Sequence, residues 1–200
     1  MKQRMATYAA AITALACAGS LRAHHSSSMF DLSMPIWVKG TVVSYAPVNP
    51  HVMIALDVSS ENGQLQRWTV EGPWLRRLEQ MNLAEDFLKA GDVIEVCGFP
   101  FKEEFRARST APDSEGARLP AVHAHLLVLP NGRLQPWGPY GKLDNCVRPN
   151  DRAQPWLDLV NSDPMGREYW CRGRTFGTLA PSVPTALLDE IDRLMTDPCK

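Results

Sequence analysis

The pattern of apolar and polar positions between residues 36 and 137 predicts a series of β-strands interrupted by one helix. Residues 74–88 carry apolar side chains at helical spacing, with charged side chains between them. Runs rich in β-branched and aromatic residues, separated by Gly, Pro and Asn, predict strands at 36–45, 51–58, 64–71, 93–98, 121–129 and 134–137. Three strands, one helix and two or three further strands are the order of a small OB-like Greek-key β-barrel. We therefore expect a mainly β fold with one or two helices, with an open α+β sandwich as the alternative.

The pattern changes after Trp137, where Pro, Gly and Asn become frequent. A final short helix is expected over residues 186–195, capped by Thr185, because its apolar side chains line one face. We expect residues 141–200 to form a C-terminal extension that packs on the barrel of residues 36–140. Residues 102–120 are charged and poor in large apolar groups, which is typical of a long exposed loop.

The first 23 residues have the pattern of an export signal. Lys2 and Arg4 precede an apolar run of small residues, and Ala23 is an acceptable last residue before cleavage. Residues 1–23 are therefore expected to be a signal peptide and residues 24–35 an N-terminal arm. Earlier cleavage after Ala18 or Ser20 stays open, as does lipidation at Cys17. We expect a periplasmic or secreted protein with no membrane span once the signal is removed.

Composition supports a folded domain and argues against a nucleic-acid partner. Hydrophobic residues make up 44% of the chain, which is enough for a core, and the formal net charge is -1. Loss of residues 1–23 removes three basic residues and no acidic one, so 18 basic residues then face 22 acidic ones. Binding that depends on phosphate contacts needs the opposite balance.

The cysteines predict disulfides. Four remain after signal removal, and an even number in an oxidising compartment indicates two bonds. The spacing leaves three pairings open, with Cys146–Cys171 and Cys171–Cys199 both reasonable in the last third of the chain. Cys97 lies in an apolar strand, where a buried thiol is the simpler alternative.

The histidines suggest a metal site. Cleavage after Ala23 would make His24 the N-terminal residue, with a free α-amine, and would leave His25 beside it. Amine and imidazole nitrogens suit copper, with zinc as the alternative. One more imidazole would complete a set of three nitrogens called a histidine brace. His123 and His125 are two apart on a predicted strand and so share one face. The candidate metal ligands are His24, His25, His51, His123 and His125.

A resemblance to a known family rests on a set of short motifs. They are His24-His25-Ser26, Met29-Phe30-Asp31, Gly40-Thr41-Val42, Asn49-Pro50-His51, Gly91-Asp92 and Asn131-Gly132-Arg133. Together they resemble an exported bacterial family of unknown function classed as DUF6152, over about residues 24–137. The resemblance implies export and a small β fold, and it implies no activity. Asn131 stands where that family usually has Asp.

The sequence favours a binding protein over an enzyme. It contains no GxSxG, P-loop or HExxH motif, and Asp57 and Glu71 stand on strands with no visible partner carboxylate. The leading hypothesis is copper binding through His24. The alternative is a module that binds a small non-metal ligand or a periplasmic protein, using loop 102–120 or an aromatic groove. The groove would be lined by Trp37, Trp68, Trp74 and Trp137, but small barrels fill their interior with side chains, which favours core positions for these residues.

Overall fold

The computed structural model describes residues 29–84, 86–105, 119–138, 140–162, 167–168, 170–173, 183–195 and 199. Its strands are β1 (Ile36–Ala46), β2 (Met53–Ser59), β3 (Leu65–Glu71), β4 (Val93–Pro100), β5 (Ala121–Val128) and β6 (Leu134–Pro136). Its α-helices are α1 (Leu75–Gln80), α2 (Ala153–Ser162) and α3 (Thr185–Leu194), and a 3-10 helix spans Tyr140–Cys146.

The strands form a closed barrel. The hydrogen-bonded order is β3-β2-β1-β4-β5-β6, and each neighbouring pair in that order is antiparallel. A parallel pairing of β3 with β5, in which Glu71 lies opposite His123, closes the first five strands into a ring. Helix α1 lies between β3 and β4 in the chain. This is the OB-type barrel that the sequence predicts, and the open sandwich does not form because β3 and β5 meet.

Alternation along the strands fills the barrel interior. Val42, Leu56 and Val96 are all at most 1% exposed, and their strand neighbours face outward. Leu78 from α1 and Trp137 after β6 join the same apolar cluster and are 2% and 0% exposed. Small barrels fill their interior with side chains in this way.

A β-bulge interrupts the pairing of β4 with β5. Cys97 pairs with Leu126, and the next residue, Gly98, pairs with Ala124, which leaves His125 as the extra residue on β5. Gly98 has no room for a side chain, because an added Cβ would overlap the His123 carbonyl and lie 2.8 Å from the Ala124 Cα. The bulge therefore depends on glycine at this position.

The C-terminal extension covers the outer face of β4, β5 and β6. Cys97, Leu126 and Leu134 on that face belong to one buried cluster with Trp156 of α2 and Ile191 of α3. The described residues of the extension therefore continue the barrel's hydrophobic core on its outer side.

Two disulfides hold the extension. Cys97 on β4 is bonded to Cys146 at the end of the 3-10 helix, and Cys171 is bonded to Cys199. The expectation of two bonds and the Cys171–Cys199 pairing are confirmed. The Cys146–Cys171 alternative and the free-thiol interpretation of Cys97 are wrong, because the outward face of β4 brings Cys97 against the 3-10 helix.

A charged network joins the barrel to the extension beside that disulfide. The Arg148 guanidinium donates to Glu95 at 2.7 Å and to Asp151 at 2.9 Å, and it lies 4.2 Å from the centre of the Trp37 ring. Burial by itself would raise the pKa of Glu95. The hydrogen bond and charge of Arg148, followed by those of Lys39, outweigh burial and hold that pKa below its ordinary value.

Three helical expectations need correction. The helix expected over 74–88 is only Leu75–Gln80, because the chain turns at Met81 and Asn82 takes a φ of 52°. Thr185 is the first residue of α3 and not its cap, since Pro184 holds that position without a side-chain hydrogen bond. Helix α2 was not predicted, although its buried face carries Trp156 and Leu159.

Candidate functional site

Two of the candidate histidines meet at the seam where β3 and β5 close the barrel. Glu71 is the last residue of β3 and lies opposite His123 in the parallel pairing. His51 stands two residues before β2 and approaches the same carboxylate. We call His51, Glu71 and His123 the seam site.

One carboxylate oxygen faces both imidazoles of the seam site. Oε1 of Glu71 lies 3.6 Å from Nδ1 of His51 and 3.6 Å from Nδ1 of His123. The three side chains are 27%, 15% and 18% exposed for His51, Glu71 and His123. Nδ1 of His123 is buried and has no hydrogen-bond partner among the described residues, and it lies 3.6 Å from Glu71. The site is therefore polar, mostly enclosed and incompletely satisfied.

Backbone hydrogen bonds fix His51 in this position. The amide of Val52 donates to the Pro73 carbonyl at 2.8 Å, and the amide of Gly72 donates to the Val52 carbonyl at 2.7 Å. Nδ1 of His51 lies 3.3 Å from the Gly72 carbonyl. A carbonyl oxygen can only accept, so this contact is a hydrogen bond in the tautomer that carries the proton on Nδ1 of His51, and in that tautomer the lone pair is on Nε2.

His125 lies behind His123 and is enclosed. Its residue is 3% exposed, its ring is 5.3 Å from the His123 ring, and Phe99 meets it edge-on at 5.0 Å. Gly138 packs on it so closely that an added Cβ would lie 3.2 Å from the His125 Cγ. The prediction that His123 and His125 share one face agrees with this contact. His125, however, is buried among Phe99, His123 and Gly138.

The N-terminal arm covers the seam site. The Phe30 ring stacks on the His123 ring with centroids 4.5 Å apart and planes at 27°. Met29 packs against the same aromatic cluster of Phe30, Phe99 and Phe101. His24 and His25 lie outside the described residues, so their place relative to the seam site stays a prediction.

The tryptophans do not line a common groove. Trp137 is fully buried in the barrel, Trp37 lies beneath Arg148, and Trp68 packs against the barrel core. Only Trp74, at 53% exposed, presents a large surface among these four. Trp137 is therefore a core residue, and the prediction that these four tryptophans line an aromatic groove is wrong.

Glu71 is the residue that sequence reasoning missed. It looked like a single carboxylate without a partner, because its partners are 20 and 52 positions away in the chain. The predicted barrel could have indicated this contact, since closure of the barrel brings the end of the third strand beside the fifth strand. Among the residues that the structure describes, no three His, Cys, Asp or Glu side chains already form a metal-binding group.

Residues 11–109 match the model of a family described as "Family of unknown function (DUF6152)". The chain belongs to this family. The matched segment contains His24, His25, His51 and Glu71, and it ends before His123 and the Asn131-Gly132-Arg133 turn. The match therefore covers two of the three seam-site residues, His51 and Glu71, and His123 on β5 lies outside it.

Solved structures give only distant likenesses. A mitochondrial single-stranded DNA-binding protein from S. cerevisiae has 10% identity and a TM-score of 0.34, covering 50% of this chain and 94% of its own. The second single-stranded DNA-binding protein of Mycobacterium smegmatis has 15% identity and a TM-score of 0.27, covering 60% and 98%. No curated protein matches the sequence. The assignment of the fold rests on the strand order.

Within the described part of the chain, no helix is both long and apolar enough to cross a membrane.

Proposed function

We propose that this member of DUF6152 is an exported protein that binds a transition metal, copper or alternatively zinc, at the seam site. The observation that carries the proposal is the single Glu71 carboxylate facing Nδ1 of both His51 and His123. Imidazole suits both metals, and a ligating histidine usually directs its other ring nitrogen at a carboxylate or a backbone carbonyl. Glu71 and the Gly72 carbonyl occupy that supporting position.

In this arrangement the two imidazoles are ligands and Glu71 orients them. At 3.6 Å the carboxylate is outside ordinary hydrogen-bond distance of either ring. A small rotation of His123 brings its buried Nδ1 into a hydrogen bond and turns Nε2 towards a metal. The absence of a ready-made three-residue group among the described residues agrees with two imidazoles that need further donors.

The N-terminal segment is the proposed source of those donors. His24 precedes Phe30 by six residues, and six residues of extended chain span at most about 20 Å. Because Phe30 is stacked on His123, the α-amine and imidazole of a cleaved N-terminus are tethered within reach of the site. A short tether raises the effective concentration of such a donor to about the millimolar range.

Export is the second part of the proposal. Two disulfides are typical of oxidising compartments, and the first 23 residues have the sequence pattern of a signal peptide. Cleavage after Ala23 creates the amine on which a histidine brace depends. Intact mass of the protein recovered from the periplasm tests this step, and a start at any residue other than His24 would remove the amine from the ligand set.

The metal proposal is tested by calorimetric titration of metal-free mature protein with Cu(II) and with Zn(II). His51→Ala and His123→Ala are each expected to weaken binding by about 100-fold, and His24→Ala by about tenfold. His125→Phe is the matched control, because His125 is enclosed and its replacement keeps a ring in place. Binding no tighter than micromolar, or variants of His51 and His123 that bind like the wild type, would overturn the proposal.

A second candidate function follows from a groove between the β5–β6 turn and α2. Its volume is about 700 Å³, and its lining includes Asn131, Arg133, Arg152, Asp158 and Asn161. Guanidinium and carboxylate groups in one groove suit a small zwitterionic ligand. Amide chemical-shift changes on titration with a free amino acid test this candidate. Changes confined to the groove and abolished by Arg152→Ala support it, whereas no change at millimolar ligand excludes it.

A further inference from the structure

The N-terminal arm forms a short strap across the seam site. Met29, Phe30 and Asp31, which we call the strap, lie along the end of β4 as an isolated bridge to Phe101. The Lys102 amide donates to the Met29 carbonyl at 3.0 Å, and the Asp31 amide donates to the Pro100 carbonyl at 2.9 Å. The strap is thus held by two backbone hydrogen bonds and by one buried side chain.

The Phe30 side chain covers one face of the His123 ring, which is a proposed metal ligand. Phe30 is 7% exposed, and it is held between the His123 ring and the edge-on Phe101 ring, whose centroid is 4.5 Å away. Stacked rings at 4.5 Å are in van der Waals contact, so no water or hydrated ion fits between them. His125 also packs against the His123 ring, with centroids 5.3 Å apart and planes at 78°. His123 is therefore covered on two sides, and only the strap side is held by a few local contacts.

We propose that the strap is a gate that controls how fast metal enters and leaves the seam site. This inference rests on the proposed function and adds a kinetic role for the arm. A segment of three residues with two backbone hydrogen bonds opens far more often than a strand in the barrel. Lifting Phe30 uncovers His123 and frees it to rotate towards a metal. Because Phe30 stacks directly on His123, opening of the strap precedes both loading and release.

A gate and a structural support predict different kinetics. If Phe30 is a gate, removing it speeds association and dissociation together, and the equilibrium affinity changes little. If Phe30 only holds His123 in its ligating position, removing it speeds dissociation alone and weakens the affinity in proportion. The ratio of the two rate changes therefore separates the roles.

The experiment is stopped-flow measurement of Zn(II) uptake by the mature disulfide-bonded protein, and of Zn(II) release to an excess of a chromophoric chelator. Phe30→Ala and Asp31→Pro are each expected to raise both rates by about tenfold, with a dissociation constant within about threefold of the wild type. Asp31→Pro removes the backbone donor to Pro100 and leaves the aromatic cluster intact, so it tests the gate even if Phe30→Ala fails to fold. Leu32→Ala is the matched control, because Leu32 is 41% exposed and lies just beyond the strap.

The outcomes separate this inference from the function on which it rests. Wild-type rates in both strap variants overturn the gate and leave metal binding standing. Faster release with unchanged uptake also overturns it, since Phe30 is then a support for His123. A wild-type protein that takes up no Zn(II) or Cu(II) overturns the metal site, and the gate with it.

Discussion

Gly72 lies directly against the indole nitrogen of Trp137, so closely that an added Cβ would overlap it and would lie 2.9 Å from the Trp137 Cε2. Trp137 is fully buried, and its Nε1 has no hydrogen-bond partner in the described residues. Gly72 also provides the carbonyl that faces His51. A single glycine therefore connects the packing of the barrel interior to the position of a seam-site imidazole.

Gly72→Ala is expected to destabilise the fold by about 2 kcal/mol, because the new methyl group overpacks against Trp137. Urea unfolding followed by tryptophan fluorescence measures the loss. The cost should shrink in a Trp137→Phe background, where the smaller ring leaves space for the methyl group. Strictly additive free energies in the double-mutant cycle would show that the Gly72–Trp137 contact is not the cause.

Glu71→Gln is expected to weaken metal binding by about tenfold with little change in stability. The amide keeps the shape of the side chain but loses the charge that orients both imidazoles. Calorimetric titration at neutral pH measures the effect. Asp57→Asn is the control, since the Asp57 carboxylate is paired with Arg67 on the barrel surface and does not face the seam site. An equal loss in both variants would mean that general surface charge is responsible.

Glu95→Gln is expected to lower the free energy of unfolding by about 1 kcal/mol at neutral pH. The folded-state pKa of Glu95 is held below the ordinary value of 4.5, so its contribution to stability is present above that value. As the pH falls through the lowered folded-state pKa, Glu95 becomes protonated in the wild type and the contribution disappears. The two proteins should therefore converge in stability only in acid well below pH 4.5.

Unfolding curves measured across this pH range check the prediction. Glu61→Gln, in the turn between β2 and β3, supplies a charge-matched control without a described ion pair to the extension. A wild-type and Glu95→Gln difference that stays constant down to the lowest pH would contradict an electrostatic origin in the Arg148–Glu95 contact.

Replacing Cys97 and Cys146 together by Ala is expected to cost about 4 kcal/mol, from the loop entropy of a 49-residue separation. The Cys171–Cys199 pair closes a separation of 28 residues and should cost about half a kcal/mol less on the same basis. Both cysteines of the first pair are fully buried, which adds packing loss to the entropy difference. Urea unfolding of the two double variants, each compared with wild type, ranks the bonds, and the reverse ranking would contradict the prediction.

The barrel was predictable because its strands have one buried and one outward face, and this leaves a period of two in the sequence. Val42 and Leu56 show that alternation directly. Helix α2 of the extension was not predicted, because it buries its apolar side chains against the outward face of β4 to β6, and a strand face that is covered by another segment has no signature of its own in the sequence. The Cys97–Cys146 bond was hidden for the same reason.

Two of the three seam-site residues could be named from the sequence. His51 and His123 were predicted as candidate ligands, because a histidine on a predicted strand can be recognised from the sequence alone. Glu71 and Phe30 were not assigned to the site, because their roles come from barrel closure and from the bridge to Phe101, which bring together segments far apart in the chain. Whether His24 belongs with them depends on how the precursor is processed.

The C-terminal extension keeps the apolar outer face of β4, β5 and β6 covered. Cutting the protein after Trp137 would strip the cover from Cys97, Leu126 and Leu134 and expose a continuous apolar strip along three hydrogen-bonded strands. A strip of that kind on a sheet is a template for association with other copies. Expression of residues 1–137 alone is therefore expected to yield an aggregating fragment, and biochemical work on this protein has to begin with the whole oxidised chain.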